Sequence, residues 1–158
     1  MTASAERRTY TAHASVLNRA PTLREVSLPG LEAPVRVGFH PAVADIYGVP
    51  AGSYAEAPAT YDYLTGAVAG CLTGVLSGML EARGVATGEG RLTAEATAQS
   101  EWRERVLRIT SIHVHYAIRA PGADPALVER VHGQHVSRCS MAQSVAGAIE
   151  VTTSYELE

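Results

Sequence analysis

The fold is decided by residues 61–83, which read YDYLTGAVAGCLTGVLSGMLEAR and are followed directly by Gly84. The eighteen residues from Tyr63 to Leu80 carry no charge, which predicts one apolar helix about 27 Å long at ~1.5 Å per residue. Gly84 is expected to end this helix, because helices commonly close on a glycine in the left-handed conformation. The run also contains four glycines and three serine or threonine residues, a composition that favours a buried helix over a membrane span.

The four glycines of this helix, Gly66, Gly70, Gly74 and Gly78, are spaced by four residues and share one face. Each glycine costs the helix about 1 kcal/mol relative to alanine, so the row needs a packing partner that offsets this loss. Two partners fit such a row, since small residues let another backbone approach closely. The helix packs either on the protein's own sheet or on a second helix across a dimer.

Shorter elements surround the helix. Three β-like runs precede it, at residues 9–17, 22–28 and 35–39, and a connector rich in proline and glycine occupies residues 40–60. After it we expect an antiparallel pair of strands at 91–99 and 103–119, a helix from Pro125 to about residue 135, a helical turn at 140–145 and a strand at 148–157. Strands and helices are segregated rather than alternating, which predicts an α+β class and a single domain over residues 1–158.

Composition excludes several functional classes. Of the 158 residues, 46% are hydrophobic and 18% charged, which is typical of a folded chain rather than a disordered one. The net charge is −3 and the chain has no lysine, so Schiff-base chemistry on lysine and a lysine-containing phosphate loop are excluded, and nucleic-acid binding is not expected. Residues 1–10 contain no apolar export signal, so we expect a cytoplasmic protein without membrane association, whose two cysteines act as thiols.

Two segments carry a resemblance to a known family. The stretch Tyr61-Asp-Tyr-Leu-Thr-Gly-Ala-Val-Ala-Gly-Cys71 resembles the central helix of the OsmC/Ohr family, the osmotically inducible and organic hydroperoxide resistance proteins. In that family an acidic residue opens the helix and a run of small residues leads to the reactive cysteine. The stretch Cys139-Ser-Met-Ala-Gln-Ser-Val145, followed by the closing strand, resembles the segment that carries the family's second cysteine. The order and spacing of the two segments match over roughly residues 60–157.

The resemblance implies an OsmC-like fold, with antiparallel sheets around a long central helix in an intertwined homodimer. It also implies a cysteine-based thiol peroxidase that reduces organic hydroperoxides and needs no metal, haem or flavin. Cys71 would attack the hydroperoxide and become a sulfenic acid, Cys139 would resolve this as a disulfide, and a dithiol partner would reduce the disulfide.

Other positions of the family pattern are matched less directly. In the more distant branches of the family, the position of the acid that opens the helix corresponds to Asp62 of this chain. At the spacing found in the best-studied peroxidases, the same position corresponds to Tyr61 instead. The activating arginine is assigned to Arg19, just after the first strand, with Arg36 as runner-up. The family has a proline directly after its second cysteine, where this chain has Ser140.

Arg19 is expected to stabilise the thiolate form of Cys71. A cysteine reacts as its thiolate, and a thiol within an uncharged helix is expected to have a pKa at or above the ~8.5 of free cysteine, because desolvation disfavours the anion. A nearby arginine, oriented by an acid such as Asp62, would stabilise the thiolate. The alternative is a non-catalytic OsmC-like protein that binds a small ligand or senses redox state.

The histidines form two pairs that could hold zinc only if they met. His113 and His115 alternate along one strand, and His132 and His135 lie three apart on a helix. Neither pair has a companion cysteine or a clear carboxylate, so no metal site is expected.

Overall fold

The structure, a computed structural model, describes residues 9–158; residues 1–8 of the N-terminal segment considered above lie outside it. Its elements are, in chain order, β1 (Ser15–Ala20), β2 (Leu23–Ser27), β3 (Val35–Val37), α1 (Pro41–Tyr47), α2 (Thr60–Glu81), β4 (Leu92–Arg103), β5 (Val106–Ile118), α3 (Pro125–Arg138), α4 (Ser140–Val145) and β6 (Glu150–Leu157). The predicted α+β class is confirmed. The chain divides into two compact units, the first ending at Thr60 and the second running from Tyr61 to Glu158.

The first unit is built on an antiparallel sheet in the order β1-β2-β3. The expected connector at residues 40–60 is not wholly irregular, because it contains α1. Pro41 occupies the first turn of α1, and Gly48 ends it in the left-handed conformation at φ +66°. The proline and the glycine that suggested breaks in the chain are therefore the start and stop signals of a short helix.

The second unit contains a sheet in the order β4-β5-β6. A tight turn joins β4 to β5 through Glu104 and Arg105, whose φ angles of +51° and +67° suit the right-handed twist of an antiparallel hairpin. The expectation of purely antiparallel sheets is wrong for the last strand, because β6 runs parallel to β5. Parallel neighbours need a crossover connection, and α3 and α4 supply it.

The core of the second unit lies between α2 and the sheet. One face of α2 is fully buried through Val68, Leu72, Leu76 and Leu80, which recur every four residues. Alternate residues of β5 are buried in the same core, namely Ile112, Val114, Tyr116 and Ile118. The core therefore holds the middle of α2 in one orientation, which fixes the direction of the side chains between its buried positions.

The predicted end of α2 is confirmed at Gly84, which has φ +81°. Its N–H donates to the Glu81 carbonyl at 3.0 Å, and the Val85 N–H donates to the Leu80 carbonyl at 3.1 Å. This pair of bonds is the Schellman arrangement, in which glycine avoids the steric cost of a left-handed residue.

The glycine row lies on the face of α2 opposite to its fully buried residues. Gly66, Gly70, Gly74 and Gly78 are all exposed, and a Cβ atom added to any of them would meet no atom of residues 9–158 within 4 Å. The glycines therefore do not pack on the protein's own sheet. Among the described helices, α2 is long and apolar enough to cross a membrane, a test that core helices of soluble proteins also pass.

Candidate functional site

The fold brings the two cysteines together at the junction of α3 and α4, within the crossover connection. Cys71 lies in the middle of α2 and is half-buried, whereas Cys139, between α3 and α4, is completely buried. The Cys71 Sγ atom lies 3.6 Å from the Ser140 Oγ atom, and both cysteines are free thiols. The two thiols, which are 68 residues apart in the sequence, are therefore neighbours in space.

Cys139 is placed by the junction of two helices. Its backbone N–H donates to the Val136 carbonyl at 3.2 Å and so ends α3, while its Sγ accepts a hydrogen bond from the Ala142 N–H at 3.5 Å and so begins α4. The backbone of Cys139 is extended, with φ −84° and ψ 116°, which turns the chain between the helices. One residue therefore caps two helices and carries a thiol.

The two thiols differ in acidity because their surroundings differ. Hydrogen bonds, first from the Met141 N–H and then from the Ser140 hydroxyl, hold the pKa of Cys71 below its ordinary value, although partial burial acts against them. Burial raises the pKa of Cys139, and the neighbouring Cys71 raises it further. Cys71 is therefore the more acidic of the two thiols.

The expectation of a raised pKa for Cys71 is wrong because hydrogen-bond donors lower it, whereas the expected need for a nearby cation stays a prediction. The donors belong to the start of α4, about 70 residues further along the chain, and no local pattern around Cys71 indicates them. Four donors lower the pKa of Cys71 and replace the water that a mid-helix thiol loses: the Met141 N–H, the hydroxyl and N–H of Ser140, and the Cys139 thiol.

Behind Cys139 lies a buried hydrogen-bonded pair that the sequence reasoning missed. His135 Nδ1 lies 2.5 Å from the His132 carbonyl and must carry the proton, since a carbonyl only accepts. Burial lowers the pKa of His135, so its Nε2 is unprotonated and accepts from the Tyr116 hydroxyl at 3.0 Å. Burial raises the pKa of Tyr116, and charge on Cys139 would raise it further. Tyr116 and His135 are therefore two uncharged side chains next to the buried Cys139 thiol.

The two histidine pairs do not meet. His113 and His115 bond to the hydroxyls of Thr152 and Ser154 at 2.8–2.9 Å, on the face of β5 opposite to Tyr116 and the α3 histidines. Within residues 9–158, no group of three or more histidine, cysteine or acidic side chains is arranged to hold a metal ion.

The other predicted site residues lie apart from the thiols or in the other unit. Asp62 is in the first turn of α2, nine residues before Cys71 and so roughly 13 Å away along the helix axis. It lines an open groove of about 490 Å³ together with Tyr61, Thr65 and residues of β4. Arg19 belongs to β1 in the first unit, where its guanidinium bonds to the Glu25 carboxylate across the hairpin at 2.8 Å. The catalytic roles of Asp62 and Arg19 stay predictions.

Comparison with known proteins identifies the family of this chain. A family described as OsmC-like protein matches residues 53–154. A search of curated proteins found no significant match.

Solved structures share the fold at low sequence identity. An OsmC-like protein of Vibrio cholerae is 15% identical, with a TM-score of 0.76, covering 95% of this chain and 100% of the other. An organic hydroperoxide resistance protein OsmC of Legionella pneumophila is 10% identical, with a TM-score of 0.69 over 95% and 99% of the two chains. The organic hydroperoxide resistance protein OhrB of Bacillus subtilis is 12% identical, with a TM-score of 0.64 over 93% and 98%. Since the family match extends over well more than half of the chain and includes both cysteines, this protein belongs to the OsmC-like family.

Proposed function

We propose that this protein is a cysteine-based thiol peroxidase that reduces organic hydroperoxides to alcohols. The observation that carries the proposal is the pairing of two unlike thiols. Cys71 is accessible and has a lowered pKa, and it lies beside Cys139, which is buried and has a raised pKa. An accessible thiolate with an adjacent resolving thiol is the arrangement that peroxide-reducing cysteines need.

The first chemical step uses Cys71. Its thiolate attacks the distal oxygen of the hydroperoxide, the S–O bond forms as the O–O bond breaks, and the alkoxide takes a proton from solvent to leave as the alcohol. Cys71 is left as a sulfenic acid. The donors at the start of α4 favour this step, because they stabilise the anion that attacks.

The second step uses Cys139. Its sulfur attacks the sulfur of the sulfenic acid, the S–S bond forms as the S–O bond breaks, and the released hydroxide takes the Cys139 proton to leave as water. A dithiol partner then reduces the disulfide by exchange and is itself oxidised. We place this cycle in the cytoplasm, where dithiol reductants keep thiols reduced.

We also infer that the protein is a homodimer in which α2 packs against its counterpart along the glycine row. The row is exposed, and a Cβ atom at any of its positions would meet nothing within the described chain. An apolar helix with one open glycine face fits a second helix at close range. The same face is repeated in a second copy, so a two-fold pairing satisfies both.

Thiol counting before and after one equivalent of an organic hydroperoxide tests the proposed function. We expect rapid loss of two free thiols per chain, because sulfenic acid formation is followed by the disulfide. Unchanged thiols would contradict the peroxidase and leave the alternative of a ligand-binding or redox-sensing protein, for which the groove lined by Asp62 is the place to look.

Replacing Arg19 with methionine is expected to slow hydroperoxide reduction tenfold or more and to raise the pKa of Cys71 by about one unit, if its guanidinium stabilises the thiolate. Arg19 is exposed and bonds to Glu25, so the substitution should leave the protein folded. Thiolate absorbance followed against pH measures the effect, with Arg36→Met as the matched variant. An unchanged titration in Arg19→Met alone would move the role to Arg36, and no change in either variant would contradict an arginine-activated thiol.

A further inference from the structure

Ser140 is the residue whose side chain reaches the Cys71 sulfur from another part of the chain. Its Oγ lies 3.6 Å from Cys71 Sγ, a hydrogen-bond distance for sulfur. Ser140 is exposed and Cys71 is half-buried, so their contact lies on the open side of the site rather than against the core. A hydroperoxide that approaches Cys71 from solvent therefore meets a sulfur that already has a hydroxyl beside it.

The direction of this hydrogen bond depends on the charge of the sulfur. When Cys71 is a neutral thiol, either atom can be the donor. When Cys71 is a thiolate it has no proton to give, and the Ser140 hydroxyl alone can donate. Hydrogen bonds to an ionised acceptor are stronger than those to a neutral one, so the contact favours the thiolate over the thiol.

Ser140 is the first residue of α4 and directly follows Cys139. A proline at this position would have neither a hydroxyl nor an N–H, whereas the Ser140 hydroxyl lies within hydrogen-bond distance of the Cys71 sulfur and the Ser140 N–H also lowers the pKa of that thiol. The first position of α4 tolerates either residue, because the N–H groups of a first helical turn have no partner within the helix. The serine thus adds donors without a conflict in local structure.

We propose that Ser140 is a further catalytic residue of the thiol site, whose hydroxyl donates a hydrogen bond to the Cys71 thiolate and holds it in the anionic form that attacks the hydroperoxide. This role rests on the proposed peroxidase function. It also explains how a thiol within an uncharged helix becomes nucleophilic through donors of its own unit. Ser140 and Cys139 are adjacent, so one turn of chain delivers both the stabilising hydroxyl and the resolving thiol.

The test uses the full chain with Cys139→Ser, so that Cys71 is the only thiol that titrates; serine is itself a good N-cap for α4. In this background Ser140→Ala is expected to raise the pKa of Cys71 by about one unit. Ser140→Pro should raise it further, because it removes the N–H as well, and Ser140→Thr should restore the parent value. Ser137→Ala is the matched control, since the exposed Ser137 hydroxyl donates to the Gln134 carbonyl and not to sulfur.

Rates with cumene hydroperoxide separate this proposal from the function on which it rests. Below the pKa, sulfenic acid formation in Ser140→Ala should fall by up to about tenfold, in parallel with the thiolate fraction. An active parent whose Ser140→Ala variant keeps the same titration and rate would overturn the role of Ser140 alone. A parent that consumes no hydroperoxide would overturn the peroxidase function and the catalytic role together.

Discussion

Cys71→Ser is expected to abolish the consumption of organic hydroperoxide, because it removes the thiolate that attacks the peroxide. A serine hydroxyl in the same place is far less acidic and less nucleophilic than a thiol. The fold should persist, since Cys71 is only half-buried and serine is slightly smaller. Residual hydroperoxide, followed by a colorimetric peroxide assay under multiple turnover, measures the loss.

Cys139→Ser should behave differently at the same site. It leaves the attacking thiol in place, so one equivalent of hydroperoxide is reduced and the sulfenic acid persists on Cys71 for a dimedone-type probe to trap. Turnover with a dithiol reductant should then slow, because no internal disulfide forms. Probe labelling of Cys139 in the wild type, with Cys71 unlabelled, would reverse the two assignments.

The second large effect is expected at the glycine row, where Gly74→Leu should disrupt the homodimer and give aggregated or unfolded protein. Within a single chain there is space for the start of a side chain, because a Cβ at Gly74 has no neighbour within 4 Å among the described residues outside its own stretch of helix. A lone helix would even gain about 1 kcal/mol, the difference in helix propensity between glycine and better helix formers. Loss of the folded protein is therefore the result expected if another chain packs there.

Gly133→Leu is the matched control for this substitution. Gly133 is also an exposed helical glycine, in α3, and a Cβ there likewise meets nothing within 4 Å. Light scattering should show a dimer for the wild type and for Gly133→Leu, and its loss for Gly74→Leu. A wild type that is folded and monomeric, or a Gly74→Leu variant that stays dimeric, would contradict the proposed interface.

Elements with signals in their own sequence were predictable. The span of α2 and its end at Gly84, the start of α3 at Pro125 and the limits of α4 all follow from local patterns and caps. The direction of β6 was not predictable, since nothing in a strand's own sequence says whether its neighbour runs parallel or antiparallel. Helix α1 was missed because Pro41 and Gly48 suggest a loop as readily as the ends of a seven-residue helix.

Only the parts of the site that carry the family resemblance were predictable from the sequence. The two cysteines carry that resemblance, but the donors around Cys71 come from residues that are neighbours in space alone. The buried pair of Tyr116 and His135 did leave a signal. His135 follows Val128 and Val131 at helical spacing, a pattern that indicates the buried face of α3 rather than an exposed pair of histidines.

The placement of Cys139 Sγ at the start of α4 has a consequence for how the molecule can be observed. The sulfur that accepts the Ala142 N–H bond is also the atom that would form a disulfide with Cys71. Helix α4 has only six residues, and a helix this short has little stability of its own. Oxidation changes the electron density on that acceptor, and so alters the chemical shift and the solvent exchange of the Ala142 amide. The NMR resonance of the Ala142 amide therefore reports the oxidation state of the thiol pair without an added dye or label.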